Sequence, residues 1–149
     1  KENLATFRNS SLEFAIIDCD VLKLEDRTFT ARGLPIEYDA VLLDVPCSNT
    51  GVIQRKPDIR WRLDKSAIDA SAALQLKLLT AASRRLKDTG RLVYSTCSID
   101  PRENAEVIKD FLASKDGQDF LLDTKHCFYP WIDKHDGAGV FRLVKKPSR

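Results

Sequence analysis

The chain has 149 residues and a formal net charge of only +2; with 43% hydrophobic and 31% charged residues it has the composition of a globular domain. No apolar run approaches the length of a membrane span, so we expect no membrane partner. The four cysteines have neither CxxC spacing nor histidines at zinc-finger intervals, so we expect no metal. Four cysteines in a domain of this size favour free thiols in a reducing compartment: the cytoplasm, or the nucleolus if the source is eukaryotic.

The first half of the chain predicts two strands followed by a long helix. Residues 13–17 form a short apolar strand, and residues 38–43 form a second whose nearly continuous hydrophobicity favours burial on both faces. Asp64 is a suitable cap for a helix that reaches about residue 87, with an apolar stripe at helical spacing. Gln75 lies on this stripe and needs a hydrogen-bond partner if it is buried.

The second half begins with a helix stop, a strand and another helix. Residues 88–90 end the long helix, and residues 91–95 form the third strand. Asp100 caps the next helix, with Pro101 at its first position and Glu103 completing a capping box.

The C-terminal part predicts two further strands, at residues 119–123 and 140–145, on either side of a polar loop around His135. Strands that alternate with helices predict one α/β domain over residues 1–149. Its sheet is expected to be mainly parallel, with an antiparallel strand at the C-terminal end.

Two cysteines follow apolar strands, at the edge of a parallel sheet where ligands bind. Cys47 comes just after one strand and Cys97 just after another, so in neighbouring strands, about 4.8 Å apart, both thiols can face one pocket. Cys97 also stands directly before a predicted helix N-terminus, which stabilises an anion such as a thiolate. It is therefore a candidate nucleophile, and Asp44 and Pro46 add an acid and a rigid turn beside Cys47.

Two segments carry a resemblance to a known family. The motifs VLLDVPCSNTGV and LVYSTCSIDPRENAEVI, supported by RKPDIRW and by LKDTGRLVYSTCS, resemble the Sun-type (NSUN/Fmu) RNA cytosine-5 methyltransferases over nearly the whole chain. The resemblance implies a Rossmann-like sheet, S-adenosylmethionine as cofactor, and rRNA or tRNA as the partner.

The resemblance also implies roles for individual residues. Cys97 attacks carbon 6 of cytosine, Asp44 bonds the cytosine ring, and Cys47 assists release of the methylated product. Contacts to S-adenosylmethionine are assigned to Asp20, Asp44 and Pro46. RNA phosphates are expected to bind a basic loop formed by Arg55, Lys56, Arg60 and Arg62. Trp61 in this loop is expected to pack beneath it rather than to stack on a base.

The chain departs from the family pattern in its cofactor loop. No glycine-rich loop precedes Asp20, and the glycines at 137 and 139 follow no strand that feeds a helix. The resemblance therefore implies an N-terminally incomplete fold, with the missing N-terminal segment of the same protein as a further partner. Asn49 also stands where the family usually has glycine.

Four other interpretations remain open. Cys47 is the nucleophile if the chemistry follows the DNA cytosine-5 methyltransferases, which use a cysteine after proline. A non-catalytic RNA-binding or assembly module would keep these motifs without using a cofactor. A disulfide between Cys47 and Cys97 would instead make a redox switch. The basic loop, finally, can be structural if Arg60 or Arg62 pairs with Asp58 or Asp64.

Overall fold

The computed structural model describes residues 15–147, which fold into a four-stranded sheet with helices packed against it. The strands are β1 (Tyr38–Asp44), β2 (Leu86–Thr96), β3 (Phe120–Phe128) and β4 (Ala138–Lys145). The α-helices are α1 (Asp26–Thr30), α2 (Lys65–Ser83), α3 (Ala105–Ala113) and α4 (Pro130–Asp133). Short 3-10 turns occupy Val21–Lys23, Thr50–Val52, Pro57–Trp61 and Pro101–Glu103.

The sheet has the strand order β1-β2-β4-β3. β1 and β2 are parallel, and their carboxyl ends meet where Asp44 lies opposite Ser95. β4 runs antiparallel to both β2 and β3. The predicted α/β sheet with an antiparallel C-terminal strand is confirmed; within residues 15–147, β1–β2 is the parallel pair.

The predicted strand at residues 13–17 is not formed in its described part, residues 15–17. Residues 15–17 are irregular, while residues 13 and 14, like the KENL opening, lie outside the described residues. A strand needs a neighbour for its backbone hydrogen bonds, and none of the described strands pairs with this segment. Ile16 is correspondingly 48% exposed.

Burial of β1 on both faces is also wrong for the described chain. Val41 and Leu43 pack against the core, but the intervening Leu42 points to the opposite face and is 73% exposed. Helices within residues 15–147 therefore cover one face of this edge strand.

Helix α2 begins as predicted and ends earlier. Asp64 accepts a hydrogen bond from the Ser66 N–H at 3.1 Å, which confirms the cap. The helix ends at Ser83 because Leu86 enters the sheet, where it pairs with Tyr38 and is fully buried. Residues 88–90 consequently lie inside β2, at an irregularity in its pairing with β1.

The core lies between α2, α3 and one face of the sheet. Apolar side chains of both helices meet those of β2 and β4 in one cluster, and each contributes about 1.5–3 kcal/mol on full burial. Its fully buried members include Leu79, Leu92, Tyr94, Phe111, Phe141 and Leu143. No helix within residues 15–147 is long and apolar enough to cross a membrane.

The capping box predicted at Asp100 and Glu103 is not formed. Asp100 accepts a bond from the Arg102 N–H at 2.9 Å, but this caps a 3-10 turn, and α3 begins only at Ala105. The Asp100 N–H donates to Ser98 Oγ at 3.0 Å. Glu103 instead turns its carboxylate into the interior, towards the loop that carries Cys47.

Candidate active site

The two cysteines meet where β1 and β2 end. Cys47 follows β1 by three residues and Cys97 directly follows β2, and because these strands are parallel neighbours the sulfurs lie 3.2 Å apart. Both are free thiols and both are partly buried. A disulfide has an S–S bond of about 2.05 Å, so this is a contact between two thiols.

Asn49 orders the protons of this pair. Its Oδ1 accepts the Cys97 thiol proton at 2.8 Å, while its Nδ2 donates to the Cys47 carbonyl oxygen at 3.0 Å. Since a thiol has one proton, Cys47 must be the donor in the sulfur–sulfur contact. Asn49 adopts φ 60°, a left-handed conformation that asparagine tolerates and that glycine would also accept.

The electrostatic setting of the thiols differs from the sequence prediction. Cys97 does not stand at a helix N-terminus, because α3 begins only at Ala105, so the dipole argument for an activated thiolate is wrong. Burial raises the pKa of the Cys47 thiol to about 12. Cys47 is therefore a protonated thiol at neutral pH, directed at the sulfur of Cys97.

The predicted cofactor contacts Asp20, Asp44 and Pro46 are all exposed. Asp44 and Pro46 are exposed beside the thiols, and Asp44 accepts a hydrogen bond from Ser95 Oγ at 2.8 Å. Asp20 caps the turn that follows it, by accepting from the Leu22 N–H at 3.0 Å. Within residues 15–147, however, no glycine-rich turn joins a strand to a helix to receive the methionine part.

Gly51 joins the Cys97 loop to the loop between β3 and β4. Its N–H donates to the Cys97 carbonyl oxygen at 2.9 Å, and its own carbonyl accepts the Gly137 N–H at 2.9 Å. A Cβ on Gly51 would lie 2.7 Å from that Cys97 oxygen and still closer to the Gly137 oxygen, so only glycine fits. The loop between β3 and β4, rejected as a cofactor loop, is thus a wall of the thiol site.

The basic loop is split into paired and unpaired cations. Arg55 pairs with Asp136, and Arg62 pairs with Asp58 as the structural interpretation foresaw. Within the described chain no ion pair is formed by Lys56 or Arg60. A cavity of about 270 Å³ beside Ser48 and Asn49 is lined by Lys56, Asp58 and Arg62.

Trp61 was expected to pack beneath the basic loop, and this is wrong. The 3-10 turn Pro57–Trp61 turns Ile59 inwards, where it is buried, and leaves the indole 89% exposed.

Sequence reasoning missed a buried polar group behind the Cys47 loop. Glu103 and Gln75 are fully buried and bonded to one another, with Gln75 Nε2 3.2 Å from Glu103 Oε1. The need of Gln75 for a partner was predicted correctly. Glu103 gave no separate signal, because a glutamate three residues after an aspartate cap is already explained by a capping box.

The sheet order, with the candidate site at the carboxyl ends of the parallel strands, fits the Rossmann-like methyltransferase fold. The family model described as 16S rRNA methyltransferase RsmB/F matches residues 3–133. The chain belongs to this family.

Individual relatives agree with the family assignment. Ribosomal RNA small subunit methyltransferase B of Serratia proteamaculans is 51% identical over 115 residues, covering 73% of this chain and 27% of the relative. The same enzyme of Erwinia tasmaniensis is 36% identical over 144 residues, covering 93% and 33%. This chain therefore spans about a third or less of these curated relatives.

Solved structures share the fold. NSun6 from Pyrococcus horikoshii, solved with SFG, superposes with a TM-score of 0.76 at 24% identity, covering 99% of this chain and 38% of that one. A methyltransferase homolog protein from the same organism gives 0.73 at 24% identity, covering 97% and 48%.

Proposed function

We propose that this chain is the catalytic part of an RNA cytosine-5 methyltransferase that acts on rRNA, with Cys97 as nucleophile. The observation that carries the proposal is the pairing of two thiols, 3.2 Å apart, at the carboxyl ends of the parallel strands. Membership of a family described as 16S rRNA methyltransferases favours rRNA over tRNA as the substrate. We also propose a cytoplasmic location.

Cys97 is assigned the bond-forming step because it matches the cysteine of the family's TCS motif, and because its sulfur accepts a hydrogen bond from the Cys47 thiol. The Cys97 thiol first loses its proton to solvent. The thiolate then adds to carbon 6 of cytosine, and the electron pair of the 5,6 double bond moves to carbon 5. S-adenosylmethionine, when bound, supplies an electrophilic methyl group to that carbon. Asp44, exposed at the end of β1, is positioned to bond the cytosine ring and to favour its transient protonation.

Release regenerates Cys97 as a thiolate. Water or hydroxide from solvent removes the proton of carbon 5, the C–H electron pair restores the 5,6 double bond, and the C6–S pair returns to the Cys97 sulfur. The leaving sulfur is then an anion, and Cys47 is the thiol that donates a hydrogen bond to it. Because burial raises the pKa of Cys47 to about 12, this thiol keeps its proton at neutral pH and can donate the hydrogen bond.

RNA binding is assigned to the exposed loop beside the site. Lys56 and Arg60 are the cations of this loop that are free of ion pairs within residues 15–147, and they suit phosphate contacts. Asp20, Asp44 and Pro46 are the groups of this chain that would meet S-adenosylmethionine, with Asp20 at its adenosine end. Cytosine must leave its stack to reach Cys97, so we expect single-stranded or loop RNA.

The test is to trap the adduct with RNA that carries 5-fluorocytosine, whose fluorine cannot leave as a proton. The full-length protein should form a complex that survives denaturation, with the RNA attached to Cys97. Cys97→Ala should form none while RNA affinity persists, and Cys127→Ala, at an exposed thiol, should behave as wild type. Attachment at Cys47 would overturn the assignment and favour the DNA-type chemistry.

A non-catalytic RNA-binding or assembly module is the second candidate. It is favoured by one observation, that no glycine-rich turn joins a strand to a helix within residues 15–147. If the full-length protein binds RNA but neither takes up S-adenosylmethionine in calorimetry nor forms the trapped complex, this second function replaces the first.

A further inference from the structure

A buried carboxylate that forms no ion pair within residues 15–147 stands behind the candidate site. Glu103 is fully buried, and its Oε1 accepts the Ser48 N–H at 2.8 Å and the Gln75 amide at 3.2 Å. Its Oε2 accepts the Ser48 hydroxyl. Hydrogen bonds thus take the place of an opposite charge. A buried charge is weak evidence for a stabilising role, since apolar replacements are often as stable.

The same network holds the other side of Cys47. Gln75 Nε2 also donates to the Pro46 carbonyl oxygen at 2.9 Å, and Gln75 Oε1 lies 3.1 Å from the Tyr94 hydroxyl. Burial raises the pKa of Tyr94 well above its usual range, so this hydroxyl keeps its one proton, and the nearer acceptor is the Glu103 carbonyl oxygen at 2.7 Å. The peptide units before and after Cys47 are therefore both fixed by one buried pair, Gln75 and Glu103.

We propose that Glu103 and Gln75 are positioning residues that hold the Cys47 thiol against Cys97 for product release. This rests on the proposed function, in which Cys97 alone makes the bond to cytosine and Cys47 acts only when that bond breaks. A looser Cys47 loop therefore delays release, and leaves attack and methyl transfer in place.

The geometry identifies the informative substitutions. Glu103→Met keeps the volume but removes the acceptor, which frees the Ser48 N–H and the Gln75 amide. Glu103→Gln keeps one carbonyl oxygen for those two donors, and its new amide can donate to the Ser48 hydroxyl. Glu106→Met is the matched control, because Glu106 is exposed in the first turn of α3.

The experiment uses the full-length protein with unmodified cytosine RNA and S-adenosylmethionine. We expect Glu103→Met to accumulate a denaturation-resistant protein–RNA complex, with multiple-turnover kcat lowered about tenfold or more, as the loss of a bond to a charged group implies. Single-turnover methyl transfer should stay within about threefold of wild type, since this step does not use Cys47. Glu103→Gln and Glu106→Met should resemble wild type.

Equal loss of single-turnover and multiple-turnover rates, without the complex, would overturn the proposal and leave Glu103 structural. If Glu103→Met does not fold, Gln75→Met decides in the same assay, because it removes the Pro46 clamp, one donor to Glu103 and an acceptor beside the Tyr94 hydroxyl. Cys47→Ala distinguishes a failure of the positioning role of Glu103 from a failure of the release role of Cys47. If that variant accumulates no complex while 5-fluorocytosine still traps Cys97, the release role in the proposed function has failed, whatever Glu103 does.

Discussion

Asn49 accepts the thiol proton of Cys97 at 2.8 Å and donates to the backbone of Cys47, so one carboxamide joins the two cysteine loops. The Cys97 sulfur therefore donates its proton to a neutral acceptor. An amide cannot take the proton away, so the attack proposed for Cys97 requires this hydrogen bond to be broken first.

Replacing Asn49 with glycine tests this arrangement cleanly. Glycine adopts φ 60° without strain, so Asn49→Gly removes the carboxamide and leaves the turn. We expect alkylation of Cys97 by iodoacetamide to accelerate about two- to tenfold, the equivalent of one neutral hydrogen bond. Mass spectrometry of the modified peptide gives the rate, with exposed Cys127 as the internal reference. An unchanged Cys97 rate would show that the amide does not hold the thiol in solution.

The two classes of cation in the basic loop should differ in RNA binding. Lys56→Ala with Arg60→Ala should lower the slope of log affinity against log salt by about 1.4, at about 0.7 per single-strand phosphate contact. Arg55→Ala with Arg62→Ala is the matched pair, and it should lower the slope less, because these cations already face Asp136 and Asp58. Fluorescence anisotropy across a salt series measures both. Equal slopes for the two double variants would contradict the distinction.

Gly51→Ala should destabilise the protein by about 1–3 kcal/mol or more, the cost of forcing a methyl group into packed surroundings. The methyl group would meet backbone oxygens of the cysteine and β3–β4 loops, which cannot move independently. Gly33→Ala serves for comparison, since it has a positive φ but open space around it. Urea unfolding of the two variants separates crowding from backbone strain. A smaller loss for Gly51→Ala than for Gly33→Ala would refute the closure of the site on Gly51.

Alkaline pH should destabilise the wild type more than Cys47→Ala. The folded protein keeps the Cys47 proton until its pKa of about 12, whereas the unfolded chain releases it near 9. Between these values the unfolded state binds fewer protons, so the free energy of unfolding falls as pH rises. In thermal melts between pH 8 and 11, the difference in melting temperature between wild type and Cys47→Ala should shrink as the pH rises. Cys127→Ala, at an exposed position, should follow the wild type; a parallel decline in Cys47→Ala would remove the burial argument.

The sequence was sufficient for the parts of the fold set by local pattern. The meeting of Cys47 and Cys97 followed from two apolar runs and the rule that parallel strands end at one edge. The end of α2 did not, because helical spacing continues to Leu86, and burial in the sheet outweighs it there. The exposure of Leu42 depends on which neighbours cover β1, and no single run of residues encodes that.

The site was predicted less fully, because its geometry depends on contacts distant in sequence. Glu103 has a complete local explanation as a capping residue, yet its carboxylate bonds Ser48 across the fold. Gly137 and Gly51 meet only once β3 and β4 are paired. Asn49 was recognised as a departure from glycine, but its bond to Cys97 could not be read from the turn alone.

The short distance between the sulfurs of Cys47 and Cys97 has a consequence for chemical probing. Two thiols this close form a chelating dithiol, a pair of soft donors that binds thiophilic ions and trivalent arsenicals more tightly than either thiol alone. Asn49 and Asp44 lie at its rim, so a bidentate arsenical with a polar arm would select this pair over the exposed, separate thiols of Cys19 and Cys127. The residues proposed to make and break the RNA bond thus also form a site at which an inhibitor can bind both sulfurs reversibly.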